Sequence, residues 1–294
     1  IVMEGRRAVG VRYFDLDQNS HFQPASIVVS SAGSSGTTKL LLMSKSKMFP
    51  DGLGNNSDMV GRCANSHHYT GAFGLFDREV SAEQGPGATV AFSDLNHIPD
   101  KKIFAGVLCS EFYSLPWAKT QIRPPNSPMW GAEHKKFQRE NYRRILRIIG
   151  PVQEIPMYEA RIVLHKTKKD AFGMPMLATQ GGKHPLTVKQ SNIMSDTAKA
   201  VLEEAGAIQT WKINSDPGLS WCNAGGQHQA CSCRMGENPK YSVVDPNCKI
   251  WGTENVFIGD AAVHVNNGGF NPVLTIMALA FRTGAHIAKT FSKA

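Results

Sequence analysis

Residues 255–289 constrain the fold of this chain more than any other segment. An apolar run at residues 256–258 leads to Asp260, a pattern that predicts a buried strand with a carboxylate at its carboxyl end. After a loop, Pro272 precedes a nearly continuous apolar run, residues 273–281, which predicts a helix that is buried on most sides. The first N–H groups of a buried helix carry a partial positive charge of about +0.5, so this helix start requires an electron-rich partner.

The composition excludes several broad classes of protein. The chain has 294 residues, of which 41% are apolar and 19% charged, which is enough for two domains or one large one and argues against disorder. The net charge of +8 is spread along the chain, and its densest cluster, at residues 135–147, indicates a solvated helix face rather than a nucleic-acid patch. No apolar run approaches the roughly 18 residues of a membrane span, and no signal peptide is expected at Ile1.

The six cysteines do not form a recognisable metal motif. A structural zinc site requires cysteines or histidines in closely spaced pairs, and only Cys231 and Cys233 lie that close together. We therefore expect no metal or iron–sulfur site within these residues. Cys233 and Cys248 are expected to be small, buried apolar residues.

The spacing of apolar and turn residues predicts further elements. Strands are predicted at residues 8–14, 26–30, 88–92, 103–108 and 160–164, and helices at residues 37–44, 132–149 and 187–205. An Asp-x-x-Gly turn at residues 170–173 predicts a hairpin that includes residues 160–164. A glycine-containing turn at residues 32–36 joins a strand to a helix, which suits the approach of a phosphate or dinucleotide.

Two blocks near the end of the chain give the most specific signal. Residues 227–236 read QHQACSCRMG, and further along the chain Asn271 and Pro272 precede the apolar helix. In this order and spacing the blocks resemble the C-terminal signatures of the glucose–methanol–choline (GMC) flavoprotein oxidoreductases, in which the first block reads HxxGxCRMG. The Asn-Pro form resembles that of the sugar dehydrogenases, pyranose oxidases, choline oxidases and cholesterol oxidases. The first block and the run VVDPNC at residues 243–248 are most similar to the bacterial sugar or glycoside dehydrogenases. Cys231 departs from the pattern, because glycine is usual at its position.

The resemblance implies a mixed α/β (α+β) fold in three parts. Residues 1–65 would be part of a Rossmann-like FAD-binding domain, residues 66–222 a substrate-binding domain built on an antiparallel sheet with helices, and residues 223–294 the C-terminal FAD-binding and catalytic segment. The dinucleotide fingerprint G-x-G-x-x-G of the family is absent. We therefore expect a missing N-terminal half, in the same polypeptide or in a second chain, and expect that residues 1–294 alone do not bind FAD tightly.

FAD is the cofactor that the resemblance implies. Oxidation of an alcohol removes a hydride, which no protein side chain accepts, so a cofactor is required. The residues that match the family's cofactor-binding positions are Ala32, Gly33, Asp260, Ala261, Asn271, Pro272 and Val273.

The same reaction requires a base beside the hydride acceptor, and histidine can serve near neutral pH. His228 occupies the position of the family's catalytic histidine, and Asn271 that of its His or Asn partner. His264, in the loop before Asn271, is the alternative base, whereas His67 and His68 are expected to be structural or to support the residues of the site without touching the substrate. The resemblance thus implies oxidation of a CH–OH group of a sugar or glycoside to the carbonyl, with hydride passing to the flavin N5 and His228 acting as base.

Two other functions are compatible with the sequence. One is a GMC alcohol oxidase that uses O₂ on a non-sugar alcohol, and the other is a non-catalytic flavoprotein subunit or fragment that needs the N-terminal half. The implied partners are a sugar or glycoside, the N-terminal half and an electron-transfer protein, with no nucleic acid. A bacterial periplasmic or cytoplasmic location is equally compatible.

Overall fold

The computed structural model describes residues 1–81, 84, 90–111, 122–213 and 228–291. Within these ranges helices are combined with mostly antiparallel sheets, so the mixed α/β fold class is confirmed. The start of the strand predicted at residues 88–92, the domain boundary at residue 222 and Gln227 of the first motif block lie outside the described residues.

The first part of the chain forms a small sheet followed by a strand and a helix. β1 (Val2–Glu4), β2 (Arg7–Phe14) and β3 (Ser20–Pro24) form a three-stranded antiparallel sheet. β4 (Val28–Ser30) then leads through a short turn into α1 (Gly33–Met43). β3 was not predicted from the sequence. A strand shows alternating apolar and polar residues when one of its faces is buried, and all five residues of β3 are exposed.

The middle of the chain forms a five-stranded antiparallel sheet covered by a helix. In chain order its elements are β5 (Tyr69–Leu75), β6 (Val90–Phe92), β7 (Leu108–Glu111), α2 (Gly131–Asn141), β8 (Ile145–Pro151), β9 (Arg161–Lys169), β10 (Pro175–Gln180), α3 (Pro185–Glu204) and β11 (Gln209–Ile213). The sheet has the order β11-β5-β8-β7-β6, and β9 and β10 form the predicted hairpin as a separate two-stranded sheet. Met194 and Leu202 of α3 pack with Ala72 and Ile148 of the sheet in a buried core.

The last part of the chain returns to β4. β12 (Val256–Ile258) is buried at all three residues and pairs in parallel with β4, with Phe257 opposite Val29. It is followed by a 3₁₀ turn (Ala261–Val263) and by α4 (Val273–Phe291). The strand predicted at residues 256–258 is thus confirmed, and α1 and β12 share one apolar core.

Two predicted elements are wrong. The helix predicted at residues 132–149 ends at Asn141, and β8 takes up its second half, because that apolar sequence is paired on both sides with β5 and β7. The strand predicted at residues 103–108 begins only at Leu108. Gly106 interrupts it with a φ of +152°, at a point where a Cβ would lie 2.2 Å from the carbonyl oxygen of Pro151.

The expected burial of α4 on most sides is also wrong for the described chain. Thr283 is the only buried residue that α4 contributes, and Leu274 is 82% and Phe281 75% exposed. One side of the helix contacts the ring of Phe257, through His286 and the end of the helix. The other side borders an open groove of about 570 Å³ and is called here the apolar face of α4, defined by Met277, Ala280, Phe281, Gly284, Ala285 and Ala288.

Asn255 joins three strands through its side-chain amide. It is fully buried, its Oδ1 accepts the N–H of Ala8 at 2.8 Å, and its Nδ2 donates to the carbonyl oxygens of Ala8 at 2.8 Å and Ser26 at 2.7 Å. Its own carbonyl accepts the N–H of Val28 at 3.0 Å. Because Ala8 belongs to β2 and Ser26 lies two residues before β4, the side chain ties both strands to the start of β12, and the backbone carbonyl adds the bond to Val28 of β4.

We expect Asn255→Ala to lower the free energy of unfolding by about 3 kcal/mol or more, because it leaves buried backbone groups without partners. Urea unfolding measures the effect. Asn238→Ala is the matched control, since Asn238 is exposed and its Oδ1 accepts one turn N–H, from Lys240; it should cost no more than about 1 kcal/mol. Equal losses in the two variants would contradict a special role for Asn255.

Candidate active site

A cavity of about 530 Å³ opens where the N-termini of α1 and α4 approach the carboxyl end of β12. Its volume is in the range of cofactor and small-molecule sites, and the carboxyl ends of parallel strands are where α/β folds bind ligands. The lining consists of residues 31–36, His228, Gln229, residues 259–261, Pro272, Val273 and Ile276. Two helix starts therefore present first-turn N–H groups to one cavity, which favours an anionic ligand.

The structure brings together most of the residues that the sequence singled out. Those that line the cavity are Ala32, Gly33, His228, Asp260, Ala261, Pro272 and Val273. Asn271 is exposed and lies just outside the lining, directly before Pro272. His264 is 4% exposed and is also not part of the lining, so the alternative base faces the interior.

Asp260 ties the two walls of the cavity together. Its carboxylate accepts the Thr37 hydroxyl at 2.5 Å and the N–H of Ala262 at 2.8 Å, and the N–H of Gly33 also donates to it. Burial raises the pKa of Asp260 above its usual value, while these three donors act in the opposite direction. The carboxylate thereby fixes the beginning of α1 relative to the end of β12.

A short backbone pairing brings two histidines together from distant parts of the chain. The N–H of Asn65 donates to the carbonyl oxygen of Ala230 at 3.1 Å, and the N–H of Ala230 donates back at 2.9 Å. In an antiparallel pair, moving two residues along each segment in opposite directions keeps residues opposite each other. His67 therefore faces His228, and their Nδ1 atoms are 2.9 Å apart with the rings nearly perpendicular.

The surroundings of His67 determine which nitrogen of each ring carries a proton. Nε2 of His67 lies 3.2 Å from the carbonyl oxygen of Asn267 and 2.9 Å from that of Gly268. Carbonyl oxygens only accept, so this nitrogen must be the N–H of a neutral ring, and Nδ1 of His67 is then an acceptor. The facing Nδ1 of His228 must donate to it. This leaves Nε2 of His228 unprotonated, as a base requires.

Burial keeps this pair neutral. It lowers the pKa of His67 to about 4, with the nearby His228 contributing, and it also lowers the pKa of His228. The Tyr69 hydroxyl lies 3.2 Å from Nδ1 of His228 and completes a group of three rings. At neutral pH Nε2 of His228 is therefore free to accept a proton.

The backbone at His228 adopts a conformation that side chains rarely take. Its φ is +64°, and Asn267 Nδ2 donates to its carbonyl oxygen at 2.6 Å, which holds the segment in place. Cys231, three residues on, has a φ of +69°. That value explains why glycine is the usual residue at this position of the motif. Cys231 is buried, and burial raises the pKa of its thiol.

The sequence did not indicate that His67, Tyr69 and Asn267 surround His228. Local patterns carry no information about a pairing between residues 65 and 230, which alone sets His67 against His228. The one available signal was the proximity of two histidines and a tyrosine at residues 67–69, directly before a strand.

Neither a metal cluster nor a membrane helix is found in the part of the chain that the structure describes. No three His, Cys, Asp or Glu side chains in these ranges are grouped so as to hold a metal ion. No helix there has both the length and the hydropathy to cross a membrane.

The chain is similar to known oxidoreductases. The C-terminal profile of the GMC oxidoreductase family matches residues 158–280. The chain is 29% identical to a 2-methyl-1,2-propanediol dehydrogenase of Mycolicibacterium austroafricanum, over 97% of this chain and 52% of the relative. It is 27% identical to the fructose dehydrogenase large subunit of Gluconobacter japonicus, over 94% of this chain and 49% of the relative. The chain thus spans about half the length of the curated relatives that it matches.

Solved structures share the fold at low sequence identity. A formate oxidase of Aspergillus oryzae aligns with a TM-score of 0.68 at 15% identity, over 98% of this chain and 58% of its own. A pyridoxine 4-oxidase from Mesorbium loti aligns with a TM-score of 0.63 at 14% identity, over 99% and 56%.

The low pKa of His67 predicts a pH-dependent stability. Its pKa is about 4 in the folded state and about 6.5 when unfolded, so the unfolded state binds more protons between these values. The free energy of unfolding should therefore fall as the pH falls from about 6.5 to 4, with up to about 3 kcal/mol due to His67. His67→Gln cannot take up this proton and should lose less stability over the same interval.

Urea unfolding at about pH 7 and about pH 4.5 measures this difference. His97→Gln serves as the control, because His97 is exposed, and it should behave as the wild type does. If His67→Gln lost as much stability on acidification as the wild type, His67 would not be the neutral, buried acceptor inferred above.

Proposed function

Because residues 158–280 match the C-terminal profile of the GMC oxidoreductase family, we propose that this chain is the catalytic half of a flavin-dependent enzyme that oxidises a CH–OH group to a carbonyl. The observation that carries the proposal is the position of His228. Its unprotonated Nε2 belongs to a ring that lines the same cavity as two helix N-termini. A proton acceptor thus lies beside an anion-binding surface, as alcohol oxidation requires.

The cavity fits FAD, which supplies the acceptor for the hydride when bound. Its lining is rich in backbone groups and small side chains, which allow close approach of a large cofactor. A Cβ at Gly33 would meet no atom within 4 Å, and the Gly33 φ of +74° suits a turn that exposes backbone N–H groups. The residues proposed to hold the cofactor are Ala32, Gly33, Asp260, Ala261, Asn271, Pro272 and Val273.

In this reaction His228 takes the hydroxyl proton of the substrate on Nε2. The imidazolium that results is stabilised by His67, whose Nδ1 continues to accept the Nδ1–H of His228. Asn271 is proposed to hold the substrate oxygen with its amide. Pro272 cannot donate, so the N–H groups of Val273 and Leu274 supply the positive end of α4, which favours negative charge that develops in the cavity.

The proposed substrate is a sugar, glycoside or related polyol. Support comes from the names of relatives: a fructose dehydrogenase large subunit, a gluconate 2-dehydrogenase flavoprotein and a paromamine 6'-oxidase. A second candidate is an oxidase that uses O₂ on a non-sugar alcohol, since long-chain-alcohol oxidases of Arabidopsis thaliana also match. Anaerobic flavin reduction by each alcohol class, followed by admission of O₂, separates the two candidates.

The role of the base is tested in the flavin-loaded protein. His228→Ala should leave the flavin content unchanged and slow flavin reduction by substrate about 10²–10⁴-fold, the usual contribution of a positioned base. His264→Ala is the matched comparison and should have a much smaller effect, because His264 does not line the cavity. Stopped-flow absorbance measures both, and the reverse order of effects would assign the base to His264.

We further propose that an N-terminal half with the dinucleotide fingerprint covers the apolar face of α4 and completes the FAD site. The exposure of Leu274 and Phe281, and the relatives that are about twice as long, support this. Residues 1–294 produced alone with FAD should retain less than stoichiometric flavin. Co-production with the N-terminal half of the Mycolicibacterium dehydrogenase should restore binding, and Phe281→Glu should weaken that restoration.

Flavin absorbance after gel filtration, with intact mass, gives the stoichiometry. Tight, stoichiometric flavin in residues 1–294 alone would contradict the need for a second half. A fully assembled flavoprotein that no alcohol reduces would favour the alternative, a non-catalytic flavoprotein subunit.

A further inference from the structure

A buried ion pair lies behind the segment that carries His67. Lys183 Nζ is 3.3 Å from Glu154 Oε1, and the two side chains are 5% and 3% exposed. Glu154 follows β8 and Lys183 precedes α3, so the pair joins the sheet to the helix that covers it. Removing two charges from water is costly, and apolar residues of the same volume would often stabilise the fold equally well. The pair therefore calls for an explanation beyond stability.

The hydrogen bonds of Glu154 supply that explanation. Oε2 accepts the N–H of Ser66 at 3.4 Å, and the N–H of His68 also donates to the carboxylate. The carbonyl oxygen of Glu154 accepts Asn65 Nδ2 at 3.4 Å. The donors thus include both neighbours of His67 and the residue that pairs with Ala230.

We infer that Glu154 and Lys183 are a positioning pair that holds residues 65–68 so that His67 accepts the Nδ1–H of His228 and keeps Nε2 of His228 free. The inference deepens the proposed function, on which it rests, because the free Nε2 is the proposed base. Neither residue of the pair touches the cavity lining, so both act through His67.

Glu154 depends on Lys183 to favour its ionised form in the buried site. Burial raises the pKa of Glu154 to about 7, and Lys183 and the backbone donors oppose that rise. Without Lys183 the pKa of Glu154 would rise further, so the carboxyl group would be protonated to a greater extent at neutral pH and would accept the two N–H groups less strongly. His68, which also lies near Lys183, stays neutral because burial lowers its pKa to about 4. Loss of either residue should therefore weaken the hydrogen bonds that the N–H groups of Ser66 and His68 donate to residue 154.

The test is the tautomer of the two histidines, which a purely structural pair would not change. In the assembled, flavin-loaded protein with ¹⁵N-labelled histidine, long-range ¹H–¹⁵N spectra at about pH 7 report which ring nitrogen is protonated. We expect the Nδ1–H form for His228 and the Nε2–H form for His67, identified through His228→Gln and His67→Gln. Glu154→Gln and Lys183→Met should each shift His228 towards the Nε2–H form and slow flavin reduction about tenfold or more.

Two further variants make the outcome decisive. Lys183→Arg keeps the charge and should retain the wild-type tautomers. The double variant Glu154→Gln with Lys183→Met should shift the tautomer of His228 and slow flavin reduction no more than either single change does. The matched control removes the exposed ion pair Lys212–Asp196, at 2.7 Å, with Lys212→Met and Asp196→Asn, and should leave the tautomers unchanged.

Wild-type tautomers in folded Glu154→Gln and Lys183→Met would overturn the inference, and so would a shift in the Lys212–Asp196 control. If Glu154→Gln does not fold, Lys183→Met against Lys183→Arg decides alone, and equal spectra in those two variants would overturn it. A tautomer shift in a protein whose flavin no alcohol reduces would leave the positioning pair standing and refute the proposed function.

Discussion

Two backbone hydrogen bonds between Asn65 and Ala230 determine the chemistry that this fold can support. They pair segments more than 160 residues apart and set His67 opposite His228. That contact decides the protonation of both rings. The carbonyl oxygens of Asn267 and Gly268 require the proton of His67 to be on Nε2, so its Nδ1 accepts the Nδ1–H of His228. The carbonyl oxygens that fix the protonation of His228 are thus two hydrogen bonds away from its Nε2, the proposed base.

Buried polar side chains form hydrogen bonds to the two segments that carry His67 and His228. Asn267 binds the carbonyl oxygen of His228, and Glu154 binds the segment on either side of His67. Buried hydrogen bonds of this kind hold the segments that they join in a narrow range of geometries. The interior behind the cavity therefore serves orientation, while the apolar core between α3 and the five-stranded sheet serves stability.

The wall of the cavity is held by hydrogen bonds, whereas α4 is largely exposed. The cavity wall is well held, since Asp260 joins the start of α1 to the end of β12, and Asn255 joins β2 and β4 to the start of the same strand. α4 nevertheless exposes Leu274 and Phe281, which is unusual for side chains of this size. The cavity is thus firmly held on one side, and the neighbouring helix is apolar and open on the other. The proposed second half of the FAD-binding domain would cover the open side.

The sequence by itself determined the strand at residues 256–258, the carboxylate that follows it, the helix after Pro272 and half of the residues that line the cavity. These are local signals: an apolar run, a proline at a helix start and a motif block each depend on neighbours in the chain. Only the tertiary structure decided that residues 145–151 are a strand, that α4 is exposed, and that His67 faces His228 with Glu154 and Lys183 behind it. Strand pairing and burial depend on residues far apart in sequence, and a run such as that in β8 is apolar in a helix and in a sheet alike.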